Sequence, residues 1–158
     1  MLVNKEALDE ARSAWGQGMI AISKAHEEGG IEAALPVANG FLDTLYGFEF
    51  GPVLFKPTLS SGTQTFRTNK DGALSYFLGH NPKFPFDNGF GIKSWRDIKS
   101  QTSAIFLDTN ISLWMGWVTF TDKDGNSVKV DKSWGYKKTR NGTLKIILHH
   151  SSLPYNSM

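Results

Sequence analysis

The sequence predicts an α+β fold in which helices come first and an antiparallel meander sheet follows. Three observations point to it. Apolar residues recur at spacings of three and four up to about residue 46. From about residue 92 to 151 they alternate with a period of two. Three turn signals, Asp108-Thr-Asn110, Asp124-Gly125-Asn126 and Asn141-Gly142, divide that second region into four strands.

Each element has a local cause. Residues 4–28 place Leu8, Ala11, Trp15, Met19, Ile22 and His26 on one helical stripe, with Asn4 as N-cap and Gly29-Gly30 as terminator. A second helix spans 31–46, with Leu35, Ala38, Phe41, Leu42 and Leu45 on its apolar side and Pro36 tolerable in its first turn. Val53–Pro57 reads as a short strand, whose prolines suggest a sheet edge. Residues 69–78 form a short helix capped by Asn69 or Thr68. The stretch 80–91 is an ordered loop, because Phe84, Phe86 and Phe90 are costly to leave in water. The four strands then run 92–107, 111–122, 127–138 and 143–151. With no repeat or linker, residues 1–158 are expected to form a single domain.

Composition excludes several chemistries. The chain has no cysteine, so thiol nucleophiles, thiolate metal sites and disulfides are out. Its 17 basic and 15 acidic residues nearly balance, so no electrostatic case for nucleic acid arises. No apolar run is long enough for a membrane span. No phosphate-cradle motif or calcium-loop spacing occurs, and neither a metal nor a cofactor is expected. The charged N-terminus is not a signal peptide, which leaves the chain cytoplasmic as it stands, or periplasmic if a leader has been removed.

Strict alternation assigns the strand faces. In the last strand Leu144, Ile146, Leu148 and His150 share the side facing the helices, while Lys145, Ile147, His149 and Ser151 face away. The strand from Ile111 is apolar on both sides, which calls for a second cover. A second copy of the chain is the simplest, with Trp114, Phe120, Ile147 and His149 at the dimer interface. A half-exposed Trp114 and Phe120 is the alternative.

The C-terminal residues Lys145-Ile-Ile-Leu-His-His-Ser-Ser-Leu-Pro-Tyr155, preceded by Trp134-Gly-Tyr-Lys-Lys and Asn141-Gly-Thr-Leu, carry a resemblance. They resemble the closing strands of the calcium/calmodulin-dependent protein kinase II association domain and its small bacterial relatives, within the nuclear transport factor 2-like (cystatin-like) superfamily. The resemblance implies a strongly curved antiparallel sheet wrapped around the N-terminal helices into a cone, a homodimer or larger assembly, and a pocket at the cone's mouth. The arginines that line the kinase pocket are absent from Trp114–Phe120 and Asp131–Tyr136.

On that basis Trp15, Phe55, His80, Trp95, Trp117, Trp134 and Tyr136 are assigned to the pocket. Asp97 and His150 are the candidates for proton transfer. Asp97 could equally form an ion pair with Arg96 or Lys99, and each histidine could be a hydrogen-bonded structural residue. The leading expectation is a non-catalytic homo-oligomerising domain that binds a small, largely apolar or aromatic molecule. The alternatives are a ketosteroid isomerase-like isomerase, dehydratase or cyclase, and a pure association module.

Overall fold

The computed structural model describes residues 2–157. The long helical region α1, Lys5–Leu45, is broken where Gly29 and Gly30 leave helical geometry, Gly30 at φ 71°. A left-handed φ there suits a residue without Cβ, so the two glycines divide α1 into two arms, as the sequence predicts. Asn4 caps the first arm, its side-chain oxygen accepting from the Ala7 N–H at 2.8 Å. Leu8, Trp15, Met19 and Ile22 are buried along that arm, and Ala34, Ala38, Phe41 and Leu42 along the second. Leu35 departs from the expected stripe and is exposed.

After α1 come β1 (Leu54–Lys56), α2 (Lys70–Leu78), β2 (Trp95–Leu107), β3 (Ile111–Asp122), β4 (Ser127–Lys138) and β5 (Leu144–Ser152). The sheet order is β1-β5-β4-β3-β2, so β1 is an edge strand and β2–β5 form the predicted meander. β1 pairs parallel to β5, with Phe55 opposite His149. Asn69 caps α2. Ser23 of α1 pins the helix to the sheet, donating to the Gly91 carbonyl at 2.6 Å and accepting from the Trp95 N–H at 3.0 Å. The loop before β2 is clasped to α2 by a bidentate Arg67–Asp87 pair, both bonds 2.7 Å, to which Ser75 adds a third bond at 2.6 Å. Of its phenylalanines, Phe90 enters the core and Phe86 is exposed.

Two features correct the predicted faces. On β3 the helix-facing set is Ser112, Trp114, Gly116, Val118 and Phe120, all buried, while Ile111, Leu113 and Met115 are exposed on the outer side. Trp114 and Phe120 therefore fill the core and do not face outward. On β5, Tyr136 opposes Ile146 whereas Gly135 opposes Leu148, which leaves Ile147 as an extra, bulged residue. That bulge flips the alternation. Ile146, His149 and Ser151 point inward, and His150 is exposed. The bulge on β5 and two irregularities in β2 accompany a curved, unclosed sheet wrapped on α1.

Gly116 shows how tightly the concave side is packed. A Cβ there would collide with the Gln101 carbonyl oxygen and meet the Trp114 ring at 2.8 Å. Trp114 lies over this position and donates from Nε1 to Thr102 Oγ1 at 2.8 Å. Gly116→Ala is therefore expected to cost about 1–3 kcal/mol of stability by overpacking. Urea unfolding measures it, and an unchanged midpoint would show that the tryptophan and the β2 backbone can yield.

Candidate active site: a buried histidine and lysine under an aromatic wall

Parallel pairing of β1 with β5 places Phe55 against His149, their rings stacked with centroids 4.6 Å apart. Pro57 then ends β1 and turns Thr58 over Ser151, the two hydroxyls 2.6 Å apart. Lys56 reinforces the turn by donating to the Ser151 carbonyl at 2.8 Å. From the neighbouring strand β4, Lys132 reaches in, its Nζ 2.9 Å from His149 Nε2 and 3.0 Å from Ser151 Oγ. Trp15, Phe55, Pro57, Thr58, Tyr76, Phe77, Phe90, Lys132 and His149 line a narrow cleft packed too closely in this structure to hold a water molecule.

The hydrogen bonds behind His149 set its chemistry. Trp15 Nε1 can only donate, so the Tyr46 hydroxyl oxygen accepts from it at 2.9 Å. That same oxygen lies 2.8 Å from His149 Nδ1. If Tyr46 gives its hydrogen to Nδ1, the neutral ring carries its own on Nε2, facing Lys132. If Nδ1 carries it, Nε2 accepts from Lys132. A lysine ammonium only donates, so the charge on Lys132 and the tautomer of His149 are coupled.

Burial governs both groups. Lys132 is 3% exposed and His149 1%. Burial pulls the Lys132 ammonium down to about 7; Asp131 opposes this and Lys56 adds to it. Burial, then the charges of Lys132 and His150, hold His149 well below the usual histidine range, so it is neutral at neutral pH. Among the described residues, no carboxylate forms an ion pair with Lys132. Its Nζ lies instead 5.0 Å from the Trp15 ring centre, 5.6 Å from Phe120 and 5.5 Å from Trp134. Tyr76 Oη accepts from the Leu59 N–H at 3.2 Å and neighbours the Thr58 hydroxyl; burial pushes its pKa well above the usual tyrosine value, so it stays a neutral phenol. Among the described residues no group of three His, Asp or Glu side chains gathers as a metal site would require.

The residues singled out from sequence are dispersed. Trp15 and Phe55 line the cavity. Trp134 packs on His149 at 5.2 Å between ring centres, with its own Nε1 unpaired. Tyr136 is buried with its hydroxyl unpaired, and Trp95 is buried donating to the Phe90 carbonyl at 2.6 Å. Neither lines the cavity. Trp117 lies on the outer side of β3 under the Lys129 ammonium, 4.5 Å away. His80 is exposed in the loop after α2. Asp97 is exposed beside Lys99 at 3.6 Å, and exposed His150 borders a surface groove with Leu54 and Phe66. His149, expected on the outer side, is the histidine at the centre of the cleft.

Thr58, Tyr76, Lys132, Ser151 and Tyr46 were not anticipated. One signal for Lys132 was available: Val130, Lys132, Trp134 and Tyr136 share one side of β4, and a lone charge in an apolar, alternating row marks a buried ion.

Comparison with known proteins bears directly on this cleft. Residues 6–153 match the family model described as metal-independent carbonic anhydrase. A metal-independent carbonic anhydrase from Nostoc sp. is 47% identical over 145 residues, which is 92% of this chain and 71% of that protein. The crystal structure of a cyanobacterial iota-carbonic anhydrase complexed with bicarbonate superposes with a TM-score of 0.96 at 44% identity, covering 98% of this chain and 94% of the other. A putative calcium/calmodulin-dependent protein kinase II association domain from Xanthomonas campestris shares the fold, with a TM-score of 0.52 at 23% identity over 93% and 82% of the two chains.

The depressed lysine has a thermodynamic signature. Between about 7 and the ordinary lysine value of 10.5, the unfolded chain binds more protons than the folded one. Stability therefore rises with pH across that window, and below it the full cost of burying the ammonium applies. Thermal unfolding of the native chain is expected to shift upward from pH 7 to pH 9. Lys132→Met should show no such rise over the same range. Parallel pH dependence in the two proteins would show that Lys132 does not titrate in this window.

Proposed function

We propose that this chain, which belongs to the metal-independent carbonic anhydrase family, catalyses the reversible hydration of carbon dioxide to bicarbonate in the cleft between Thr58, Tyr76, Lys132 and His149. Family membership overturns the expectation of a non-catalytic binding or association domain, and with it the leaning against an enzyme. The resemblance to kinase association domains holds for the fold.

The observation that carries the reading is the pairing of an apolar aromatic wall with a compact set of neutral hydroxyls and nitrogens. Carbon dioxide has no dipole and suits the surfaces of Trp15, Phe55, Phe77 and Phe90. As a water oxygen attacks its carbon, negative charge builds on the two carbon dioxide oxygens. The hydroxyls of Thr58, Ser151 and Tyr76, clustered at this cleft, are the donors that would support that charge. In so buried a site each such bond is stronger than in water. The attacking water must lose a proton, and the neutral nitrogens of the cleft are the groups able to take it. The bicarbonate complex of the cyanobacterial structure, at 44% identity, supports the assignment of the ligand.

We also propose that a second copy of the chain covers the outer side of the sheet. Phe106 and Leu113 are paired across β2 and β3, and with Ile111 and Met115 they form an exposed apolar stripe of a kind monomers rarely keep. This stripe replaces Trp114, Phe120 and His149 as the candidate interface.

Stopped-flow hydration of carbon dioxide with a pH indicator tests the activity. The native chain should catalyse it, and a chelator should leave the rate unchanged. Thr58→Val keeps the side-chain volume and removes the hydroxyl; it should lower the rate about 10–100-fold with the fold intact. A native chain without hydration activity would overturn the proposal. For the assembly, Met115→Asp should convert dimers to monomers in light scattering, and a dimer that survives the charge would place the interface elsewhere.

A further inference from the structure

We propose that Lys132 is the proton acceptor of the reaction, neutral when carbon dioxide enters the cleft and an ammonium paired with the product when bicarbonate forms. This deepens the hydration reading above and rests on it. Three structural facts support it. The Lys132 side chain lines the same cleft as Thr58 and His149, and its nitrogen is linked to the Thr58 hydroxyl through Ser151 Oγ, by contacts of 3.0 and 2.6 Å. Two neutral partners, His149 Nε2 at 2.9 Å and Ser151 Oγ at 3.0 Å, hold that nitrogen in place. Among the described residues it has no carboxylate partner, so nothing fixes it as a permanent cation.

The surroundings agree from every side. β5 presents His149 and Ser151, and exposed His150 points away. β1 presents Lys56, a second cation, turned to the Ser151 carbonyl. α2 presents the phenol of Tyr76, α1 presents Trp15, and Tyr46, the residue that follows α1, lies behind His149. On β4 itself Asp131 is the adjacent residue, on the opposite side of the strand. The Asp131 carboxylate thus lies outside the cleft, while a lysine and a histidine are the charged or titratable neighbours of the amine within it. Burial among these groups brings the amine's proton equilibrium to about 7, where it can both accept and release within one turnover. His149 is the weaker base, because the same burial and the neighbouring lysine disfavour its charged form. We assign it as the positioning residue: its Nε2 directs the amine and its Nδ1 is held by Tyr46.

The step balances within the cleft. The water oxygen forms the new bond to carbon, and one carbon–oxygen π pair moves onto the oxygen that becomes anionic. The water O–H bond breaks and its proton ends on the Lys132 lone pair. Water, carbon dioxide and a neutral amine become bicarbonate and an ammonium in contact, so no isolated charge is left in the apolar cavity. As bicarbonate leaves, the ammonium returns its proton to a solution base.

Hydration rates of the native chain, Lys132→Met and Lys132→Ala, measured from pH 6 to 9, test the assignment. The native rate should rise through an ionisation near 7, and Lys132→Met should fall at least about 100-fold while keeping its circular dichroism spectrum. Methylamine added to Lys132→Ala should restore activity, and more basic small amines should restore it further at equal free-base concentration, which a purely structural role would not produce. Nuclear magnetic resonance of the ¹³Cε-labelled native protein gives an answer even if the variants unfold, because Lys132 should lose its proton below pH 8.5. A Lys132→Met rate within threefold of native with the same pH profile overturns the assignment, as does an ammonium that persists above pH 9. Inactivity of the native chain itself would overturn the hydration reading together with this inference.

Discussion

A lysine amine 2.9 Å from an imidazole, both almost wholly buried and, among the described residues, without an ion-pair partner, is the constraint around which this molecule is arranged. Such a pair cannot stay doubly charged in an apolar interior, so the surroundings keep at least one member neutral. The protein meets the cost with hydrogen bonds of fixed direction. Trp15 holds Tyr46, Tyr46 holds His149, and His149 together with Ser151 holds Lys132. Aromatic rings supply the remaining walls and a weak attraction for positive charge. Replacing any link by an apolar group would leave its neighbour buried without a partner, a larger loss than the bond itself.

The fold exists to bring these links together. Trp15 comes from the first arm of α1 and Tyr46 directly follows the second, Thr58 follows edge strand β1, Tyr76 lies on α2, and Lys132 and His149 sit on adjacent central strands. A flat sheet could not present all of them to one point. The sheet curves, with irregularities in β2 and between β4 and β5, and its concave side closes over α1. The fold is shared with a kinase-type association domain, whereas the chemistry depends on a few inward side chains. That is why a resemblance confined to the final strands pointed to the right architecture and to the wrong kind of function.

Much of the architecture is legible in the chain because its causes are local. Asn4 and Asn69 cap helices through bonds that reach only three residues ahead. Gly29-Gly30 breaks α1, and the three turn sequences separate β2 to β5 where expected. The site is less legible. Trp15 and Phe55 line the cleft beside Lys132 and His149, whereas Asp97, His80 and His150 are exposed and Trp117 lies on the outer side. Strict alternation carried past Ile147 inverts every face after it and points His150 inward in place of His149.

By itself, then, the sequence determines the order of elements, their caps and turns, and the excess of aromatic residues that becomes the cleft wall, since each depends on residues within a few positions of one another. The tertiary structure decides which side chains share the cleft. Lys132 and His149 are 17 residues apart, Tyr46 and His149 are 103 apart, and Thr58 and Ser151 are 93 apart. Their meeting depends on a one-residue bulge and on the pairing of an edge strand. Both are settled by the packing of the whole core, because a single-residue slip costs little locally and changes every inward contact beyond it.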